Sequence, residues 1–159
     1  MLKNQPIIDI TIRSYTDSDM KDIADILTKI GWAPQYVEGQ KRYINKLIHD
    51  EEGSVFVSEK EGRLAGFIQV QHYRWNCLSS VPGLVVSPDY QRRSIGGNLM
   101  TYIEKESQLQ GNRGVFVDTP VNNQEARAFY KAQGYQEGYI MPRYYEDGLD
   151  GITFQKFFT

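Results

Sequence analysis

One cysteine, two histidines and no long apolar run set the first limits on this 159-residue chain. Cys77 has no partner for an internal disulfide, which points to a reducing compartment. A lone cysteine of this kind reads as a small buried hydrophobe rather than a nucleophile. His49 and His72 are far apart and form no zinc spacing with Cys77, so no metal is expected. The start of the chain, MLKNQPIIDI, has no apolar leader core. No stretch approaches the ~20 apolar residues that span a bilayer. A cytoplasmic protein without a membrane partner is the expectation.

Basic charge is also lacking. The net charge is −2, which argues against nucleic acid as a partner, because phosphate binding needs a broad basic surface. Nucleotide motifs are missing too: there is no G-x-x-x-x-G-K-[ST] and no G-x-G-x-x-G. Repeats, low-complexity tracts and linkers do not occur. A single domain over 1–159 follows as the expectation.

What is present is a well-mixed globular composition, with 40% hydrophobic residues, 11 Tyr and 7 Phe. Such aromatic content favours a packed fold over disorder. Ile8, Ile10 and Ile12 alternate as in a strand. Thr16 and Asp19 resemble a capping box before the helical spacing of Ile23, Ile26, Leu27 and Ile30, and Gly31 stops that helix. A second helix over 34–50 has Tyr43, Ile44, Leu47 and Ile48 as its apolar face. Two strands, SVFVSE and RLAGFIQVQHY, flank Lys60-Glu61-Gly62, a hairpin signal. A strand from about Asn76 to Val86 contains Pro82-Gly83, which predicts a bulge. Next come a helix from Ile95, a short strand GVFVDT, a helix capped by Asn122 and ended by Gly134, and two strands, YQEGYIMPRYY and GITFQKFF. The strand–helix–strand unit over 76–119 reads as a parallel crossover. The whole is an α/β protein, a mixed sheet with helices on both faces.

The most informative stretch is LVVSPDYQRRSIGGNLM, residues 84–100. Here a strand ends, two arginines and two glycines follow, and a helix starts. A helix N-terminus has unpaired N–H groups and a partial positive charge, so it attracts anions. Arg92 and Arg93 add donors. Gly96 and Gly97 lack the Cβ atoms that would hold an anion off the backbone. A pyrophosphate is a natural guest for this turn; glycines that only let the helix pack are the alternative.

Val86-x-Pro88, then Gln91-x-x-Ser94-x-Gly96, resembles the coenzyme A signature of the GNAT family of N-acetyltransferases. NQEARAFYKAQGY, residues 123–135, is similar to the family's N-x-x-A-x-x-x-Y-x-x-x-G-[FY] helix. The closing YYEDGLDGITFQK resembles the last hairpin of the branch that acetylates protein N-termini. The resemblance implies a mostly antiparallel seven-stranded sheet, splayed at a central parallel pair, with four helices on both faces. It implies acetyl-CoA as cosubstrate and a primary amine as acceptor, either a peptide N-terminus or a small amine. A non-catalytic acyl-CoA-binding module is the other reading. By position, the backbone of Leu84, Val85 and Val86 would hold pantetheine, and Asn123 would touch its arm. Amides of Arg92, Arg93, Ser94, Ile95, Gly96 and Gly97 would hold pyrophosphate. Ser94 departs from the usual glycine: either its Cβ would crowd that site or its hydroxyl would donate to the pyrophosphate.

Amine acetylation needs a neutral amine. At pH 7 an α-amine is neutral to roughly 15% and a lysine amine to about 0.04%. A base therefore matters less for an N-terminus. The resemblance makes Tyr130 the acid that protonates the leaving thiolate, and Asp118 the base, acting through water. Glu59 is a weaker candidate base, otherwise solvated. Tyr144 and Tyr145 would line an acceptor groove. The aromatic C-terminal strand suggests an edge-to-edge homodimer.

Overall fold

The computed structural model describes residues 10–91 and 94–158. Its elements run β1 (Thr11–Ser14), α1 (Met20–Lys29), α2 (Pro34–His49), β2 (Gly53–Lys60), β3 (Arg63–Tyr73), β4 (Leu78–Val86), α3 (Ile95–Leu109), β5 (Gly114–Pro120), α4 (Gln124–Ala132), β6 (Gln136–Met141) and β7 (Gly151–Phe157). This is the expected order. The part of the first predicted strand before Ile10 lies outside the described residues, as do Arg92 and Arg93.

Local chemistry accounts for several boundaries. The Thr16 amide donates to Asp19 Oδ2 at 2.8 Å, and the Asp19 carboxylate also accepts both guanidinium N–H groups of Arg13. Arg13 reaches Glu59 of β2 at 2.7 Å as well. Glu59 is thus part of an ion network that ties the start of α1 to β1 and β2, which corrects the expectation of a merely solvated side chain. The turn from β2 to β3 has Glu61 at φ 52° and Gly62 at φ 74°. Two central residues at positive φ make the tight hairpin turn that matches strand twist.

The seven strands form one sheet in the order β1-β2-β3-β4-β5-β7-β6. Only β4 and β5 are parallel neighbours; the other pairs are antiparallel. Two cores form because β2 and β3 alternate their side chains across the sheet. Val55, Val57 and Phe67 pack with Ile23 and Leu27 of α1 and Ile44 and Leu47 of α2. Phe56, Ile68 and Val70 pack on the opposite face with Leu99 and Ile103 of α3 and Tyr130 of α4. So α1 and α2 cover one face, and α3 and α4 the other. Within α2, Val37 joins Ile44 and Leu47 in the buried face while Ile48 is exposed, which corrects the expected apolar face.

Two features prepare the site. The β3–β4 register slips between Gln69 and Gln71, with Gln69 opposite Gly83 and Gln71 opposite Ser80. β4 therefore carries one extra residue around Val81-Pro82, as a bulge requires. Meanwhile β4 pairs with β5 only over Leu78–Ser80 against Gly114–Phe116. Beyond that the two strands part, and Val81–Val86 have β3 on one side and an open edge on the other.

Three expectations are corrected. Asn123, not Asn122, caps α4: its Oδ1 accepts the Ala126 amide at 3.0 Å. Cys77 is exposed rather than buried; it occupies the β3–β4 turn at φ 55°. The C-terminal strand β7 lies between β5 and β6, so it has no free edge to pair with a second copy. The outer strand is β6, which stops at Met141 and leaves Tyr144 and Tyr145 in a loop.

Candidate active site

The parting of β4 from β5 opens a cleft of about 780 Å³ on the α3–α4 face. Leu84 and Val86 line one wall, Ser94, Ile95, Gly96 and Gly97 the end, and Asn123 and Tyr130 the other wall. Segments far apart in sequence, from β4, α3 and α4, therefore meet in one place. Val85 points away and packs on the α1–α2 side. Its backbone still belongs to the open-edged stretch.

At the end of the cleft, Ser87 Oγ accepts the Asp89 amide at 3.4 Å and bends the chain out of β4. A short turn, Pro88–Tyr90, follows. Ser94 then enters α3 with φ 61° and ψ 17°. This is the left-handed region, where a Cβ atom costs roughly 1–2 kcal/mol. The first amide bonded back into the helix is Asn98, which donates to Ser94 O at 3.0 Å. The amides of Ile95, Gly96 and Gly97 come before it and have no acceptor within the helix.

The two glycines do something the sequence reading left as its alternative. A Cβ on Gly96 would lie 3.3 Å from Phe129 Cζ, and one on Gly97 would lie 3.0 Å from Gln133 Nε2. Their bare faces let α4 close on the first turn of α3. Phe129 and Ala126, which the sequence reading placed in a helix but not in a site, consequently form cleft wall. Their spacing around Tyr130 was visible; the partner helix was not.

Tyr130 is buried, with Phe129, Tyr135 and Phe154 rings around it at centroid distances of 5.1, 5.9 and 5.7 Å. Burial pushes its pKa up to about 12, so it carries its proton throughout the neutral range. Asn123 lines the cleft too, although its Oδ1 is committed to the cap.

Asp118 lies elsewhere. Along β5, Val115 and Val117 face the α3–α4 core, so alternation turns Phe116 and Asp118 to the α1–α2 face. Asp118 Oδ1 accepts Thr153 Oγ1 at 2.6 Å, and Oδ2 accepts the Tyr144 hydroxyl at 3.2 Å. Tyr144 and Tyr145 stack edge to face at 4.9 Å. Burial raises the Tyr145 pKa to about 12, with Tyr144, Asp118 and Tyr130 contributing. Tyr36 of α2 donates to Glu146 and joins α2 to the β6–β7 loop. Nothing in the sequence reading paired those two; they are 110 positions apart.

Residues 19–135 match the acetyltransferase (GNAT) family, and the chain belongs to that family. It is 27% identical over 137 residues to an uncharacterized N-acetyltransferase of Methanocaldococcus jannaschii, covering 80% of this chain and 61% of that protein. It is 28% identical over 126 residues to an N-alpha-acetyltransferase of Sulfurisphaera tokodaii, covering 72% and 71%. The chain thus spans less than two thirds of the Methanocaldococcus relative. Among solved structures, the fold is shared with the ribosomal-protein-S18-alanine N-acetyltransferase from Escherichia coli, at a TM-score of 0.75 and 24% identity over 92% of each chain. It is shared equally with a spermidine/spermine N-acetyltransferase from Vibrio cholerae, at 0.76 and 16%, covering 93% of this chain and 92% of that one.

The residues present suit coenzyme A. A long cleft beside an open strand edge suits a pantetheine arm, and three amides with no acceptor within the helix suit a pyrophosphate. Leu84, Val85 and Val86 would hold the arm through their backbone, as an added strand does.

Proposed function

We propose that this chain is an acetyl-CoA-dependent N-acetyltransferase acting on a primary amine, with a peptide or protein N-terminus as the favoured acceptor. One observation carries the reading: the split between β4 and β5 brings the unpaired helix-start amides and the buried Tyr130 into one cleft. Acetyl-CoA supplies an activated thioester. The chain's own residues do the rest. The first turn of α3 binds the anionic end. The edge of β4 orients the arm. Tyr130 holds a proton for the departing sulfur. Asp118, on the opposite face and accepting two hydrogen bonds, orients a water that takes the proton of the incoming amine. Residues 1–159 act as one domain in this reading.

A small amine is the second reading, favoured by the ease with which the fold neighbours include a polyamine enzyme. The test is free-thiol release from acetyl-CoA with a panel of N-terminal peptides, polyamines and amino sugars. Thiol release that depends on an added amine is the expected result. Binding of acetyl-CoA with no turnover on any amine would leave a non-catalytic acyl-CoA-binding module.

A further inference from the structure

The side chain of Gln69 on β3 is fully buried, and neither its Oε1 nor its Nε2 has a hydrogen-bond partner among the described residues. A buried, unpaired amide is costly and calls for a partner that arrives from elsewhere. Its position says from where. Gln69 lies opposite Gly83, at the β4 bulge. A Cβ on Gly83 would lie 2.9 Å from Gln69 Oε1 and 3.4 Å from Gln40 Nε2 of α2. Two neutral amides thus converge beside a residue with no side chain.

These groups share a face with the proposed acceptor side. Two positions along β3, Gln71 accepts the Tyr43 hydroxyl of α2 at 3.0 Å. Two further on, Tyr73 meets the Phe116 ring of β5 at 5.8 Å. Asp118 is two positions beyond Phe116. A polar and aromatic stripe therefore runs from Gln69 around the split to Asp118. Its buried end holds glutamines, not carboxylates. An amide offers both a donor and an acceptor, which complements another amide. A polyamine offers donors and positive charge only, and would need buried carboxylates to offset its desolvation.

We propose that Gln69, together with Gln40, positions the acceptor by holding one ordered water beside Gly83 that hydrogen-bonds the first peptide group of a peptide acceptor. This rests on the acetyltransferase reading and makes Gln69 a positioning residue that selects amide-bearing acceptors over simple diamines.

The experiment compares wild type with Gln69→Met and Gln40→Ala, measuring melting temperature, the two KM values and kcat with an N-terminal peptide and with a diamine. In Gln69→Met the melting temperature is unchanged or higher, since no hydrogen bond to another described residue is lost and the side-chain volume is kept. The KM for the peptide rises tenfold or more, kcat falls less, and the KM for acetyl-CoA stays constant. Gln40→Ala moves the peptide KM in the same direction. The diamine KM changes little in both. A melting temperature several degrees lower in Gln69→Met would mean that the amide is paired within the fold, and would overturn the proposal. Peptide KM values equal to wild type would overturn it as well. So would a wild type that acetylates diamines but no peptide. A wild type that turns over no amine overturns the acetyltransferase reading and this proposal with it, whereas the other adverse outcomes leave that reading standing.

Discussion

Tyr130 and Asp118 occupy opposite faces of one sheet, and each answers to a different test. Tyr130→Phe keeps the ring among Phe129, Tyr135 and Phe154 and removes only the donor. Acetyl-CoA affinity should change little while kcat falls by roughly 10²–10⁴, the usual range for an acid–base group. A Phe variant with wild-type kcat would remove Tyr130 from the mechanism. Asp118→Asn keeps an acceptor for Thr153 and removes the charge that both Thr153 and Tyr144 address. If a water on Asp118 takes the amine proton, the defect is greatest at low pH, where the amine is charged. It shrinks as alkali makes the amine neutral unaided. A defect of equal size at every pH would reduce Asp118 to a brace between β5 and the β6–β7 loop.

At the level of elements, the start of α3 decides whether the cleft binds an anion. Ser94 sits at φ 61°, which glycine adopts freely and asparagine or aspartate more readily than most residues. Ser94→Gly relieves the left-handed strain but adds unfolded-state entropy, so a net effect within about 1 kcal/mol is expected. Its affinity for acetyl-CoA should equal or exceed that of the wild type by calorimetry. A tenfold loss would make the Ser94 hydroxyl a phosphate ligand. Ser94→Asp separates folding from binding more sharply. A carboxylate at a helix start interacts favourably with the dipole, so the free protein keeps its melting temperature. The same charge repels a pyrophosphate, so thermal stabilisation by acetyl-CoA should vanish. Undiminished stabilisation would place the cofactor's anionic end elsewhere.

The same elements show how far the sequence could be read. Alternation and helical spacing marked every strand and helix, because those periods come from backbone geometry and survive in any packing. The bulge was legible from Pro82-Gly83. What escaped depends on neighbours distant in sequence. Asn122 and Asn123 are chemically identical cap candidates, and only the path out of β5 selects the second. Gly96 and Gly97 read as room for an anion because nothing in the local sequence names Phe129 and Gln133 as their neighbours. Asp118 was a candidate through the family resemblance alone, and the face it occupies follows from the sheet order. Gln69 carries no motif at all. Its meaning comes from Gly83 across the ladder and Gln40 on α2.

For the whole molecule, the many tyrosines make stability depend on alkaline pH. No helix among the described residues is long and apolar enough to cross a membrane. Two cores hold the fold, with Tyr130 and Tyr135 buried in one and Tyr43 packed against the other. Burial raises Tyr130 to about 12, and Tyr43 and Tyr145 likewise to about 12. Tyr135 is also raised, by burial first and then by Glu104, which accepts its hydroxyl at 2.9 Å. In each case the folded pKa exceeds that of the unfolded chain, which is near 10. The folded state therefore binds more protons than the unfolded state once pH passes about 10, and stability falls with rising pH from there. Below pH 10 the contribution is fully present; between about 10 and 12 it is lost. Tyr130, the most buried of the three at about 12, accounts for roughly 2–3 kcal/mol of that loss. Urea unfolding at pH 8, 10 and 11.5 should show a steep drop in stability over the last interval. Tyr130→Phe, which has no phenol to ionise, should show a shallower drop than wild type. Parallel curves for the two proteins would mean that Tyr130 titrates alike in the folded and unfolded chains, and that its hydroxyl is not desolvated in the cleft wall.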